Sequence, residues 1–204
     1  MKSIKSRATA SSAKDPVAQP IKKYSASPLI DPAVCGLVVI LPSIDDHSYK
    51  LTRTCDGHVR KTKTLLAASQ AISVPVFVCG SDTVFAKDVD VHCTFSYEEH
   101  GCIWKNKTFR KALDAENLSA LVLAGYWLDR EVTITALHAL ADCYDVYIPV
   151  DASPTKSARP AARLAEARLL QAGASPLLTE QILQEWMIET SSPTQRAALS
   201  ALLE

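Results

Sequence analysis

The stretch that decides the fold is LVLAGYWLDREVTITALHALADCYDVYIPVDAS, residues 121–153. Its two ends are rich in leucine, valine and isoleucine and predict buried strands, and the apolar spacing between them predicts an α-helix over 128–143. A strand, a helix and a second strand in this order form a βαβ unit with parallel strands. The helix therefore begins at the carboxyl end of the first strand, where open α/β sheets place their functional groups.

The same alternation of strands and helices continues on both sides of this stretch. Four strands are predicted, at 34–42, 74–79, 119–125 and 144–150. Six helices are predicted, at 58–72, 108–118, 128–143, 158–173, 179–187 and 194–204. Strands that alternate with helices of this length predict a three-layer α/β/α sandwich with a mainly parallel central sheet.

The chain divides into a tail and a body by composition. Residues 1–28 are rich in Ser, Ala and Lys, have few large apolar side chains and are predicted to be a flexible tail. Residues 29–204 are long enough for one domain with a substantial core. The first 14 residues carry basic but no acidic side chains, as organelle transit peptides do. We expect a cytoplasmic protein, with a mitochondrial or other organellar location as the alternative.

The overall charge excludes several classes of partner. The chain has 22 basic and 22 acidic residues, and so no net positive charge for nucleic acid. No apolar run reaches the roughly 18 residues that a membrane span needs. The six cysteines lack metal-ligand spacing and are expected to be free thiols in a reducing compartment. The acidic and histidine residues between 82 and 100 also lack it, so we expect neither a metal nor a cofactor.

Two segments resemble a known family. The frame around the opening stretch is kept by Gly125, Val132, Thr135, Ala136, Ala139, Tyr144, Val146, Asp151 and Ala152. The segment CIWKNKTF keeps Trp104, Asn106 and Phe109. In these residues the chain resembles the isochorismatase-like cysteine hydrolases, which include nicotinamidases and N-carbamoylsarcosine amidases. The resemblance runs from about Cys35 to Trp186, and it implies the same fold and homo-oligomers.

The resemblance also implies a catalytic site of three side chains. A cysteine thiolate at the helix N-terminus attacks an amide or related carbonyl, an aspartate after the first strand transfers the proton, and a lysine holds the charges in place. Backbone N–H groups before the cysteine form the oxyanion hole, often with a cis peptide bond that does not involve proline.

This sequence departs from the family at all three catalytic positions. Glu131 stands at the cysteine position and Leu41 at the first aspartate position. Tyr97, Glu98 and Glu99 stand near the lysine position. The second aspartate of the motif is matched by Asp45, and its threonine is replaced by Leu128. The residues that we predict to line the former pocket are Asp45, Trp104, Asn106, Trp127, Leu128 and Glu131.

Three hypotheses follow for the function. The first is a pseudoenzyme without cysteine-hydrolase activity, which binds a small molecule or a protein through the former pocket. The second is an active hydrolase of amide or related bonds that uses Glu131 and Asp45, with Cys79 or Cys102 as another source of a nucleophile. The third is a structural subunit of an oligomer. Glu131 also has a purely structural interpretation, since acidic residues stabilise helix N-termini.

Overall fold

The computed structural model describes residues 27–41, 53–80, 93–95, 102–157 and 159–203. In these residues six parallel strands form one sheet in the order β3-β2-β1-β4-β5-β6. The strands are β1 Cys35–Ile40, β2 Val76–Cys79, β3 Cys93–Phe95, β4 Ala120–Gly125, β5 Asp145–Pro149 and β6 Ser175–Leu177. Two of them, β3 and β6, were not predicted, because three residues are too few to show a period of two.

Six α-helices connect or follow the strands in the described part of the chain. They are α1 Arg53–Ile72, α2 Lys107–Ala115, α3 Thr133–Ala141, α4 Arg159–Ala172, α5 Thr179–Glu189 and α6 Pro193–Ala201. The helix predicted over 128–143 differs from the observed one. It begins as a π-helical turn, Leu128–Val132, in which the Val132 N–H donates to the Trp127 carbonyl five residues earlier at 3.2 Å, and the α-helix that follows ends at Ala141.

The sheet is the middle of three layers, as the alternation of strands and helices predicts. Val38 and Ile40 of β1 belong to one apolar core, and Leu37 and Val39 belong to the other. The first core is closed by side chains of α2, α3 and α4, and the second by side chains of α1, α5 and α6. Because β1 and β4 are central and covered on both faces, all their residues are buried and apolar or small.

The described ranges also bear on the predicted tail, on membrane-spanning helices and on the cysteines. Most of the predicted tail lies outside the described residues, but Ser27 donates a hydrogen bond from Oγ to Glu189 Oε1 of α5 at 2.7 Å. In the described ranges, no helix combines the length and the apolar character that crossing a bilayer requires. Among the cysteines whose side chains the structure describes, Cys35, Cys79, Cys102 and Cys143 are free thiols.

Candidate functional site

A tight turn joins β4 to the helix that follows it. Gly125 ends β4 with φ of 109°, a conformation that favours glycine. It pairs with Ile40 at the end of β1, and a Cβ atom at this position would lie 2.0 Å from the Ile40 carbonyl oxygen. The next residue, Tyr126, donates its N–H to the same oxygen at 2.7 Å. The chain therefore turns directly over the end of β1, and the Tyr126–Trp127 peptide bond in this turn is cis.

The Glu131 side chain points back to the residue where this turn ends. Its Oε2 accepts a hydrogen bond from the Trp127 N–H at 3.2 Å. Trp127 is the N-cap residue of the π-helical turn, so the contact satisfies a backbone donor that has no partner within the helix. A carboxylate is well suited to this place, because the helix dipole favours negative charge there. Thr135 Oγ1 donates to the Glu131 carbonyl at 2.8 Å and fixes the same turn from the other side.

We expect the Trp127 amide to report on this contact by hydrogen exchange. Glu131→Ala removes the acceptor and should speed the exchange of the Trp127 N–H about tenfold, the factor that about 1.4 kcal/mol gives for a hydrogen bond to a charged group. Glu131→Gln keeps a neutral acceptor and should give a smaller increase. The Leu128 N–H, which donates to the Pro154 carbonyl at 2.8 Å, serves as the internal control. Equal Trp127 rates in all three proteins would show that the carboxylate does not hold this donor.

Asp129 ties the start of the helix to the loop after β5. It accepts hydrogen bonds from the backbone N–H groups of Lys156 at 2.9 Å and Ser157 at 3.1 Å. Partial burial on its own raises the pKa of the Asp129 carboxyl, but hydrogen bonds from the Ser157 hydroxyl and from these backbone groups outweigh it and lower the pKa below its ordinary 3.8. The stability that the folded protein gains from this lowered pKa is present above about pH 3.8 and is lost as the pH falls through the pKa of the folded state.

Leu41 follows β1 directly and is fully buried, with 0% of its surface exposed. Its side chain belongs to the apolar core that also contains Leu65, Leu66 and Ala152. Its N–H donates to the Cys79 carbonyl at 2.7 Å, and a Cβ atom on Gly80 would lie 2.8 Å from Leu41 Cβ. The position at the end of β1 is thus filled by a hydrocarbon side chain that cannot transfer a proton.

Trp127 and Leu128 are buried around the same turn. They expose 6% and 1% of their surfaces, and the Trp127 ring packs edge-to-face on Tyr126 with the ring centroids 5.1 Å apart. Lys156 Nζ lies 6.0 Å from the centroid of the Trp127 ring. The structure therefore brings Trp127, Leu128 and Glu131 together around one turn, where Trp127 and Leu128 serve as packing; that they line a pocket stays a prediction. Asp45, Tyr97, Glu98 and Glu99 lie outside the described residues, as do the acidic and histidine residues at 82–92 and 98–100.

A family model for the isochorismatase domain matches residues 36–181, well over half of the chain. The chain belongs to the isochorismatase family. Solved structures agree with this fold at low sequence identity. YcaC from Escherichia coli, described as an octameric hydrolase of unknown specificity, is 18% identical, with 88% of this chain and 91% of that chain covered at a TM-score of 0.70.

Two further structures have the same fold. The MAR1 ribonuclease from Caenorhabditis elegans is 15% identical, with 86% of this chain and 92% of that chain covered at a TM-score of 0.73. N-carbamoylsarcosine amidase from Thermoplasma acidophilum is 16% identical, with 72% and 94% covered at a TM-score of 0.59. No curated protein matches the chain significantly.

Two of the predicted pocket residues have structural hydrogen-bond partners in this isochorismatase-family chain. Trp104 Nε1 donates to Asp142 Oδ2 at 2.8 Å, just after the end of α3. Asp142 is eleven residues beyond Glu131, which at helical rise corresponds to roughly 16 Å. Asn106 caps α2, where its side chain accepts hydrogen bonds from the N–H groups of Thr108 and Phe109. Trp104 thus lies toward the end of α3 that is far from Glu131, and Asn106 acts as a helix cap.

Cys79 does not supply a substitute nucleophile. The side chain lies at the end of β2 with 0% of its surface exposed. Burial raises the pKa of the Cys79 thiol far above its ordinary value, so the reactive thiolate is absent at neutral pH. Cysteine acts here as a small apolar side chain of the core.

One polar junction near the site could not be predicted from the sequence. Asp151 Oδ1 accepts hydrogen bonds from the Thr179 N–H at 2.8 Å and Oγ1 at 2.9 Å, and Oδ2 lies 3.9 Å from Lys61 Nζ. The Asp151 carbonyl lies 2.7 Å from His58 Nδ1. The junction joins α1, the end of β5 and the start of α5. No local signal reveals it, because its partners are 28 to 93 residues away from Asp151.

Proposed function

We propose that this isochorismatase-family protein lacks cysteine-hydrolase activity and instead binds a small molecule or a protein through the surface around Glu131. The observation that carries the proposal is the hydrogen bond between the Glu131 carboxylate and the Trp127 N–H. At this contact a carboxylate stands in place of the nucleophilic thiolate, and the Trp127 N–H already has an acceptor. These two differences from the family affect different stages of the family reaction.

The first effect is on bond formation. Family members attack a carbonyl carbon with a thiolate, which is a strong nucleophile at neutral pH. A carboxylate attacks an amide far less readily, and in this chain it is already engaged with a backbone donor. Leu41, fully buried, also puts a hydrocarbon side chain at the position directly after β1, where the family places the acid that exchanges a proton with an attacking or leaving group.

The second effect is on the charge that develops during such a reaction. In the family, backbone N–H groups that precede the cysteine stabilise the oxyanion of the tetrahedral intermediate. The Trp127 N–H precedes residue 131 and already donates to an anionic oxygen of the chain itself. A substrate oxygen would have to displace that carboxylate and would then stand beside a negative charge. Removing a single such donor costs about a hundredfold or more in rate in acyl-transfer enzymes.

The experiment that tests binding is a ligand screen by melting temperature. A compound that binds only the folded protein raises the melting temperature in proportion to its occupancy. We expect amides, ureas or small carboxylic acids in the screen to include stabilising compounds, and their stabilisation to be lost in Glu131→Ala. A Glu166→Ala control on α4 should keep it. Each stabilising compound should be recovered chemically unchanged by mass spectrometry. A stabilisation that survives Glu131→Ala would place the ligand elsewhere and contradict the proposal.

We also propose that the chain forms homo-oligomers. The Escherichia coli relative YcaC is described as an octamer. In the described part of this chain, Leu164 and Leu170 on α4 are 72% and 59% exposed and Ile188 on α5 is 66% exposed; α4 and α5 lie on opposite faces of the sheet, so separate interfaces between subunits would cover them. Sedimentation equilibrium should give a mass that is a multiple of the chain's, and a concentration-independent monomer would contradict this.

A further inference from the structure

The N-terminal segment, residues 27–30, is attached to α5 by two carboxylates. The Ser27 hydroxyl donates a hydrogen bond to Glu189 Oε1 at 2.7 Å, and the Ile30 N–H donates to Glu185 Oε2 at 3.0 Å. Because Glu185 and Glu189 are one helical turn apart, the two bonds hold the segment along one face of α5. The Ile30 side chain is 1% exposed and belongs to the apolar core on this side of the sheet.

Ser27 is followed by Pro28, and Ser-Pro is the dipeptide that proline-directed kinases select. The sequence has four such dipeptides, and the structure distinguishes their serines. Ser153 is buried, Ser175 lies in β6, and Ser192 is the N-cap of α6. Ser27 is half-buried, lies outside any helix or strand and precedes an exposed proline. A kinase binds its substrate as an extended chain, and a segment held by side chains can leave α5 without opening the sheet.

The Ser27 hydroxyl lies in acidic surroundings. Its acceptor is the Glu189 carboxylate, and Glu185 is the next acceptor along the same helix face. A phosphate group on this oxygen carries a charge of about −1.5 to −2 at neutral pH, so it replaces a donated hydrogen bond by repulsion between two anions. The described cation that is nearest to Glu189 in the sequence is Arg196, which donates to the Ser191 carbonyl at 3.4 Å.

We propose that Ser27 is a phosphorylation site and that its phosphate releases the N-terminal segment from α5. A kinase transfers the γ-phosphoryl group of a nucleoside triphosphate. The bond from Ser27 Oγ to the γ-phosphorus forms, the bond from that phosphorus to the β,γ-bridging oxygen breaks, the nucleoside diphosphate leaves, and the hydroxyl proton passes to the kinase. Glu189 then repels the phosphate, and the neighbouring bond from Ile30 to Glu185 opens with it.

Treatment of the full-length protein with a mitogen-activated protein kinase and MgATP tests the site. Peptide mass spectrometry should find phosphate on Ser27 and none on the buried Ser153. Hydrogen exchange tests the release. The Ile30 N–H should exchange at least about tenfold faster after phosphorylation, the factor that loss of a hydrogen bond to a charged group gives. The Leu37 N–H, which donates to the Pro75 carbonyl at 2.9 Å, is the internal control and should not change.

Glu189→Gln distinguishes repulsion from the mere size of the phosphate. The variant removes the carboxylate charge and keeps an acceptor, so phosphorylation should speed the exchange of the Ile30 N–H less than in the wild type. Glu180→Gln, nine residues earlier and thus on the other side of α5, should respond as the wild type does.

Three results would overturn the proposal. The first is a folded protein in which the kinase does not modify Ser27. The second is an Ile30 exchange rate that phosphorylation leaves unchanged, which would mean that the phosphate stays on α5, for example beside Arg196. The third is an equal increase in the wild type and in Glu189→Gln, which would show that the Glu189 charge does not cause the release.

Discussion

Leu41→Asp is expected to destabilise the protein by about 3–5 kcal/mol, although it restores the acid of the family motif. The side chain is fully buried in the apolar core between the sheet and α1. An ionised carboxylate there has lost its hydration, and the described side chains of this core are apolar and offer no cation to replace it, which is among the most costly single changes in a core. Urea unfolding followed by circular dichroism measures the loss.

The pH dependence of the stability of Leu41→Asp distinguishes the cost of a buried charge from the cost of a changed side-chain shape. Burial raises the pKa of a carboxyl in the folded state above its unfolded value, so the folded protein binds more protons and its stability falls as the pH rises. Leu41→Asp should therefore be less destabilised at pH 4 than at pH 7. Leu41→Met, which conserves volume, should lose less than about 1.5 kcal/mol at both. A Leu41→Asp protein as stable as the wild type at pH 7 would mean that an acid is accommodated at this position.

Gly125→Ala is expected to cost more than about 4 kcal/mol or to prevent folding. A Cβ atom at this position would lie 2.0 Å from the Ile40 carbonyl oxygen, and that atom belongs to the backbone of the central strand, which cannot move aside. The substitution also requires a positive φ of 109° from a residue with a side chain. Soluble yield and urea unfolding measure the effect.

Gly173→Ala is the matched control for the steric part. Gly173 has φ of 99°, similar to that of Gly125, but the nearest atom to its Cβ position is Leu140 Cδ2 at 4.0 Å. It should lose only the conformational cost of roughly 1–2 kcal/mol. If the two variants lose equal stability, the close approach of the turn to β1 is not what requires glycine at position 125.

The sequence predicts the layers well because burial leaves a strong pattern. The runs around Val38 and Leu123 are uninterrupted and apolar, and the structure confirms that both are central parallel strands covered on two faces. The family resemblance is confirmed by the matching domain model. The π-helical turn before α3 could not be predicted, since it depends on the direction of one hydrogen bond, from the Val132 N–H to the Trp127 carbonyl.

The candidate site is only partly predictable, because the sequence gives the residue types and not the directions of the side chains. The residue types at 41 and 131 indicate which chemistry is missing, but they do not show where the Glu131 side chain points. That direction follows from the turn at Trp127, which tertiary packing holds in place. Trp104 illustrates the opposite case, because a residue that matches the family segment lies beside Asp142 at the far end of α3.

The measurement that tests the central claim most directly is turnover by the purified wild-type protein relative to Glu131→Ala. Nicotinamide, an N-carbamoyl amino acid and an isochorismate-type substrate cover the reactions of the family to which the chain belongs. With Glu131 bound to the Trp127 N–H and Leu41 buried, we expect both proteins to show the same rate, equal to that of buffer. Turnover by the wild type that disappears in Glu131→Ala, with the variant still folded, would show that Glu131 is catalytic and would contradict the account.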